Sequence, residues 1–133
     1  NFRLSKIGLW SRFSIDPTLQ EMYATLATPA DVAVGISHTG TSIDTVHALE
    51  LAKRGGARTI CITNHSEAPL TRYGDLCLFT ATRISHFREE RLDSNLAMLA
   101  LTEAVYVGIC VEQSDAMMQA VTKTARATEH RKY

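Results

Sequence analysis

The chain has 133 residues, 45% of them hydrophobic, which is enough for one folded domain with a buried core and too apolar for a disordered segment. Its 14 Lys and Arg balance 14 Asp and Glu, so no overall basic charge advertises nucleic acid. No apolar run approaches the roughly 20 residues of a membrane span and no signal-peptide pattern is present, so no membrane partner is expected, and three cysteines, odd in number and far apart, suit a reducing cytoplasm.

Asn1 to Ile7 reads as the tail of a helix, closed by Gly8. Leu9 to Phe13 is expected to be a short strand. Asp16 before Pro17 is a helix start, a cap followed by proline at the first position, and this helix should run to about Leu26 before Thr28-Pro29 breaks it. The apolar run Val32 to Ile36 predicts a strand. A helix follows from Ile43 to about Arg54, with Ile43, Val46, Leu49 and Leu51 on its apolar side and Gly55-Gly56 ending it. Arg58 to Thr63 contains TICIT, the β-branched pattern of a strand buried in a parallel sheet. Ala68-Pro69-Leu70 opens a short helical turn, and Leu76 to Thr80 is the next strand. Helices are expected from about Arg88 to Val111 and from Asp115 to about Glu129. Strands alternating with helices imply parallel crossovers, hence an α/β fold built as a three-layer α/β/α sandwich with a mainly parallel sheet.

The segment DVAVGISHTGTS, Asp31 to Ser42, carries the most chemistry. Strand Val32 to Ile36 leads into a loop where Ser37, Thr39, Thr41 and Ser42 surround Gly40, and a helix begins at once. Such a loop offers an anion hydroxyls, backbone N–H groups and the positive end of a helix dipole. Gly35 to Ser42 matches a triphosphate-binding loop except that Thr41 stands where the lysine belongs, which removes the main partner of β- and γ-phosphates. The spacing is not that of a dinucleotide fingerprint either. A single phosphoryl group held by neutral donors is the ligand that fits; the competing reading is a plain helix start capped by Thr41 or Ser42. In parallel sheets ligands sit beyond the carboxyl ends of the strands, which also brings the Thr63 to Ser66 loop to the site.

Cys61, Cys77 and Cys110 each lie in an apolar stretch and read as core residues, not as a disulfide framework. No Cys or His pair has ligand spacing, so neither a metal nor a cofactor is called for. Met98, Met117 and Met118 read as packing residues. The stretch from Leu96 to Val111 is apolar on more than one side, which suits a deeply buried helix or an oligomer face.

Four ordered segments resemble the sugar isomerase (SIS) domain family. Ser37-His38-Thr39-Gly40-Thr41-Ser42 is similar to its S-x-S-G-x-T loop. Ala52 to Ala57, the strand Ile60 to Asn64, and Ala68-Pro69-Leu70 followed by Asp75 agree in order and spacing. Phe87-Arg88, Leu92, Ser94 and Leu96 to Leu99 most resemble the effector-binding domain of RpiR-type transcriptional regulators. Ala68 and Asn95 depart from that pattern, where serine and arginine are usual. The resemblance implies a single SIS domain over residues 1–133 that senses a sugar phosphate, acting as a homodimer or homotetramer and reaching DNA only through an attached helix-turn-helix domain. It further implies Ser37, Thr39 and Ser42 as phosphate hydroxyls, Gly40 as the point of backbone access, and His38 and Thr41 as main-chain N–H donors. Because Asn1 to Trp10 resembles the end of the helix after the family's first strand, that strand and the DNA-binding domain are expected upstream.

The alternative within the family is an aldose–ketose isomerase or lyase, which needs a base to move a proton between two carbons. Candidates are His38, His65, His86, Glu89 and Glu90. Each has a plainer role: Glu89 and Glu90 suit a solvated helix start, and His65 a solvated turn. The expectation is therefore a sensor, not an enzyme. A third possibility is a domain that only dimerises.

Overall fold

The computed structural model describes residues 1–81, 90–112 and 114–131. Two compact units make up the chain, residues Ser14–Leu101 and a pairing of Asn1–Phe13 with Thr102–Tyr133. Helix α4, Glu90–Glu112, runs through the boundary between them.

The larger unit is built on three parallel strands, β1 (Val32–Ile36), β2 (Arg58–Thr63) and β3 (Leu76–Phe79), in that order across the sheet. Val34 pairs with Ile60, and Cys61 with Cys77. Helix α2, Pro17–Thr25, starts as the sequence predicts: the Leu19 N–H donates to the Asp16 carboxylate at 3.0 Å, and proline fills the first turn. It packs on α3, Ile43–Arg54, which covers β1 and β2. Gly55 caps α3, and Gly56 turns the chain away with φ +89°.

The core under α3 is small and tight. Leu49, Cys61 and Leu70 form its centre, with Ala33, Val46, Tyr73 and Cys77 packed around it. Gly35 is part of this fit, since a Cβ there would meet Leu49 and Leu70 side chains at 3.2 Å each. The strands alternate as half-buried strands do: Gly35 and Ser37 face the core, while Val32, Val34 and Ile36 are 61%, 52% and 46% exposed. On α3 the buried positions are Leu49 and Ala52, with Val46 and Leu51 half-buried. Ile43, expected on the apolar side, is 82% exposed, because it sits at the first helical position beside the loop and above the core.

A polar clasp closes the far end of the sheet. Asp75 accepts the Thr59 N–H at 2.9 Å and receives the Lys53 ammonium at 3.0 Å, while the Thr59 hydroxyl donates to the Tyr73 carbonyl at 2.6 Å. Those donors, the Thr59 N–H first, hold the Asp75 carboxyl down at about 2 against its ordinary 3.8.

In the second unit α1, Phe2–Lys6, lies against α5, Ser114–Thr128. Ile7 and Met117 are buried there, and the Thr124 hydroxyl donates to the Lys6 carbonyl at 3.2 Å. Gly8, at φ +87°, approaches α5 so closely that a Cβ would stand 3.1 Å from that of Ala120. The Arg3 guanidinium pairs with the Glu103 carboxylate and lies 4.0 Å over the Tyr106 ring.

Several expectations need correcting. Residues 9–13 form no strand; the run has no strict alternation, no described strand pairs with it, and Trp10 is fully exposed. Met117 is buried as expected, whereas Met118 is 67% exposed on the outer side of α5. Along α4, Leu96, Leu99, Val107 and Val111 are exposed. Its Asn95–Glu112 stretch, 18 residues of mean hydropathy 1.4, is apolar enough by length and composition to cross a membrane, although polar residues interrupt it. It carries Glu103 in an ion pair near its middle, an expensive group in lipid.

Because the clasp depresses the Asp75 carboxyl, its contribution to stability is complete above the ordinary value and disappears as pH falls through the folded-state one. The Tm gap between wild type and Asp75→Asn is therefore expected to be widest at pH 5 and above. It should close between about pH 4 and pH 2 in thermal melts read across pH.

Candidate functional site

The hydroxyl loop lies at the carboxyl end of β1, and its shape is set by the end of β2. The Ser37 N–H donates to the Ile62 carbonyl at 3.0 Å, extending the ladder by one residue beyond β1. The His38 carbonyl then accepts twice, from the Asn64 N–H at 2.9 Å and from the Thr63 hydroxyl at 3.0 Å. Gly40 makes the reversal at φ +64°, its carbonyl accepting the Leu70 N–H at 3.0 Å. A Cβ at this position would stand 2.4 Å from the Ala68 Cβ and 2.8 Å from the Thr63 hydroxyl, so glycine is required by space as well as by conformation. The family-pattern departure at Ala68 thus lies where the turn presses closest.

Within the loop the hydroxyls pair with one another. Ser37 Oγ and Ser42 Oγ are 2.9 Å apart, and Thr39 Oγ1 and Thr41 Oγ1 are 2.8 Å apart. The Gly40 N–H points to Ser37, whose carbonyl and Oγ each lie 3.1 Å from it. Ser37 is buried beneath the loop, Thr39, Thr41 and Ser42 are exposed, and His38 is half-buried. Ser42 takes the cap position of α3 in extended backbone, yet its side chain makes no capping hydrogen bond. The plain reading of Thr41 or Ser42 as a capping hydroxyl is thereby corrected: the Ser42 hydroxyl turns to Ser37 and the Thr41 hydroxyl to Thr39, and neither caps α3.

The floor of the site comes from the turn after β2. Thr63 is fully buried, and the Asn64 side-chain oxygen accepts from the Thr80 hydroxyl at 3.3 Å, linking this turn to the residue after β3. His65 stands in the same turn, its ring edge-to-face with that of His38 at 6.1 Å between centroids. The sequence placed the Thr63 to Ser66 loop here but carried no signal for the meeting of the two rings, which belong to residues 27 positions apart.

Of the other candidate bases, His86 and Glu89 lie outside the described residues, and Glu90 opens α4. Among the described residues no three His, Cys, Asp or Glu side chains gather as a metal site. All three cysteines are free; Cys61 is buried, and burial pushes its thiol up to about 12, which suits an inert core residue.

A parallel sheet with a neutral, hydroxyl-lined turn at the start of a helix defines the class as an α/β domain. The sequence matches the SIS domain family over residues 8–108, and the chain belongs to that family. An HTH-type transcriptional regulator of Haemophilus influenzae is 30% identical over 92% of this chain and 42% of its own length. The regulator RpiR of Escherichia coli K12 is 27% identical over 86% of this chain and 40% of its own length. The chain thus spans less than half the length of these relatives. Among solved structures, the Vibrio vulnificus NanR protein complexed with ManNAc-6P superposes with a TM-score of 0.87 at 21% identity, covering 98% of this chain and 49% of NanR.

The Gly40 turn gives a direct test of the geometry. Gly40→Ala is expected to destabilise the chain by about 1–3 kcal/mol, the usual cost of forcing a side chain into a strained backbone and an occupied space. A urea-unfolding midpoint unchanged from wild type would show that the turn is loose enough to move aside.

Proposed function

We propose that this chain is the effector-sensing SIS domain of a bacterial RpiR-type transcriptional regulator, and that it holds the phosphoryl group of a phosphorylated sugar in the Ser37–Ser42 loop. In this reading Ser37, Thr39 and Ser42 supply hydroxyls, Thr41 and His38 supply main-chain N–H groups, and Gly40 lets the backbone come close. The observation that carries it is the prebuilt loop: hydroxyls satisfied by one another in the free state can exchange those bonds for phosphate oxygens without reorganising the backbone. The start of α3, where the Ser42 side chain makes no capping bond, adds its dipole to the same place.

The relatives support binding over turnover, since they are transcriptional regulators, and the solved NanR complex contains ManNAc-6P. A phosphorylated N-acetylhexosamine is accordingly the first ligand to try. DNA would be contacted through an attached helix-turn-helix domain, because this chain carries no net charge of its own. The whole regulator would work in the cytoplasm as a homodimer or homotetramer. The exposed apolar residues of α4 are consistent with a protein partner there. Ligand would act by favouring one of two arrangements of that assembly.

In a thermal-shift series, ManNAc-6P and other sugar phosphates are expected to raise Tm where their unphosphorylated parents do not. At about 100 times Kd the linkage adds about 2.7 kcal/mol of stability. Equal shifts from a sugar and its phosphate would remove the phosphoryl group from the account. A Ser37→Ala, Ser42→Ala double variant should lose the shift, at about 1–3 kcal/mol for each bond left unmade.

A further inference from the structure

The hydroxyl loop offers a phosphate many donors and no charge. No Lys or Arg occurs in residues 37–46 or 59–70, the segments that shape the mouth of the site. A phosphate monoester carries close to two negative charges at neutral pH, and hydrogen bonds that include a cationic donor are about twice as strong as neutral ones. The two basic side chains these segments do carry are His38 and His65. Their rings meet at 6.1 Å with planes at 66°, one inside the loop and one across from it, and both are half-buried.

The main chain fixes where the rings stand. His38 is tied through its carbonyl to Thr63 and Asn64, and the His65 N–H donates to the Thr63 hydroxyl at 3.4 Å. The ionisable groups nearest the pair in sequence on the surrounding elements are Asp44 in the first turn of α3, Glu67 in the turn after β2 and Arg72 in the 3-10 turn Pro69–Tyr73; His47, Glu50, Lys53 and Arg54 follow along α3, and Tyr73 ends the 3-10 turn. Asp44, Glu67 and Arg72 are exposed, so solvent screens them more than it screens the pair.

We propose that His38 and His65 together are the charge partner of the bound anion, and that the site takes up protons as it fills. This rests on the phosphate reading of the loop. Imidazole is the side chain whose ordinary range spans neutral pH, and an anion lying against both rings favours their charged forms. Binding therefore raises the midpoint at which the pair loses its protons. By linkage, the pair's contribution to affinity is complete below the free-state midpoint and is lost as pH rises through the bound-state one.

The test is an NMR titration of the histidine ring protons of the unaltered chain across pH, in inorganic phosphate and in chloride of equal ionic strength. Spectra of His38→Gln and His65→Gln assign the two rings. Phosphate is expected to move both midpoints up by about one pH unit, the scale of an opposite charge at contact distance. Each Gln variant should bind phosphate more weakly near pH 6 and lose less of its affinity by pH 8.5 than wild type does. If phosphate shifts the amide resonances of Gly40, Thr41 and Ser42 while both imidazoles titrate as in chloride, the loop binds phosphate and the histidine pair is overturned. If neither amides nor imidazoles respond, the phosphate reading falls and the pair falls with it.

Discussion

Gly40 stands where two loops meet with no room between them. Its positive φ reverses the chain beyond β1, and its α-carbon faces Ala68 and Thr63 at a distance that excludes any side chain. The backbone around it is pinned by the Asn64 and Leu70 N–H groups and the Thr63 hydroxyl. Everything that makes the site useful follows from that contact. The hydroxyls of Ser37 and Ser42 meet because the loop is drawn back over the end of the sheet, and α3 begins where the loop lets go. In the proposed reading such a loop loses little conformational entropy when a ligand arrives, since folding has already ordered it.

The same contact separates what was readable in the sequence from what was not. Strands Val32–Ile36 and Arg58–Thr63 and helix α3 fall where patterning placed them, because β-branched runs, apolar periodicity and terminal glycines act locally. The Asp16-Pro17 helix start is equally local. The hydroxyl loop was legible as a composition, and the family resemblance gave its residues in order. Its internal pairing was not legible: the Ser42 hydroxyl had a capping role open to it by propensity and instead turns to Ser37, a choice made by the tertiary position of the loop. The His38–His65 meeting depends on β2 returning beside β1, and no single-segment pattern encodes it. Residues 9–13 mislead for the opposite reason, since a few apolar side chains resemble a strand where none of the described strands pairs with it.

Charge and apolar surface divide the chain's tasks. Residues 37–42 and 63–66 are polar, with His38 and His65 their only basic side chains, which allows discrimination by hydrogen-bond geometry and leaves the proton as a variable. Apolar area is displayed elsewhere, on Val32, Val34 and Ile36 of β1 and on the outer residues of α4. A sensor needs both kinds of surface, one to recognise a small molecule and one through which occupancy changes an assembly.

The account depends on the loop being built before any ligand is present, and amide hydrogen exchange of the unliganded chain examines that directly. The Gly40 N–H, bonded within the loop, and the Ser37, Asn64 and Leu70 N–H groups, which tie the loop to β2 and the segment after it, should exchange as slowly as those of β2 itself. Exchange at these four positions as fast as in an exposed loop would mean that the turn at Gly40 forms only on binding, and the prebuilt cradle would be wrong.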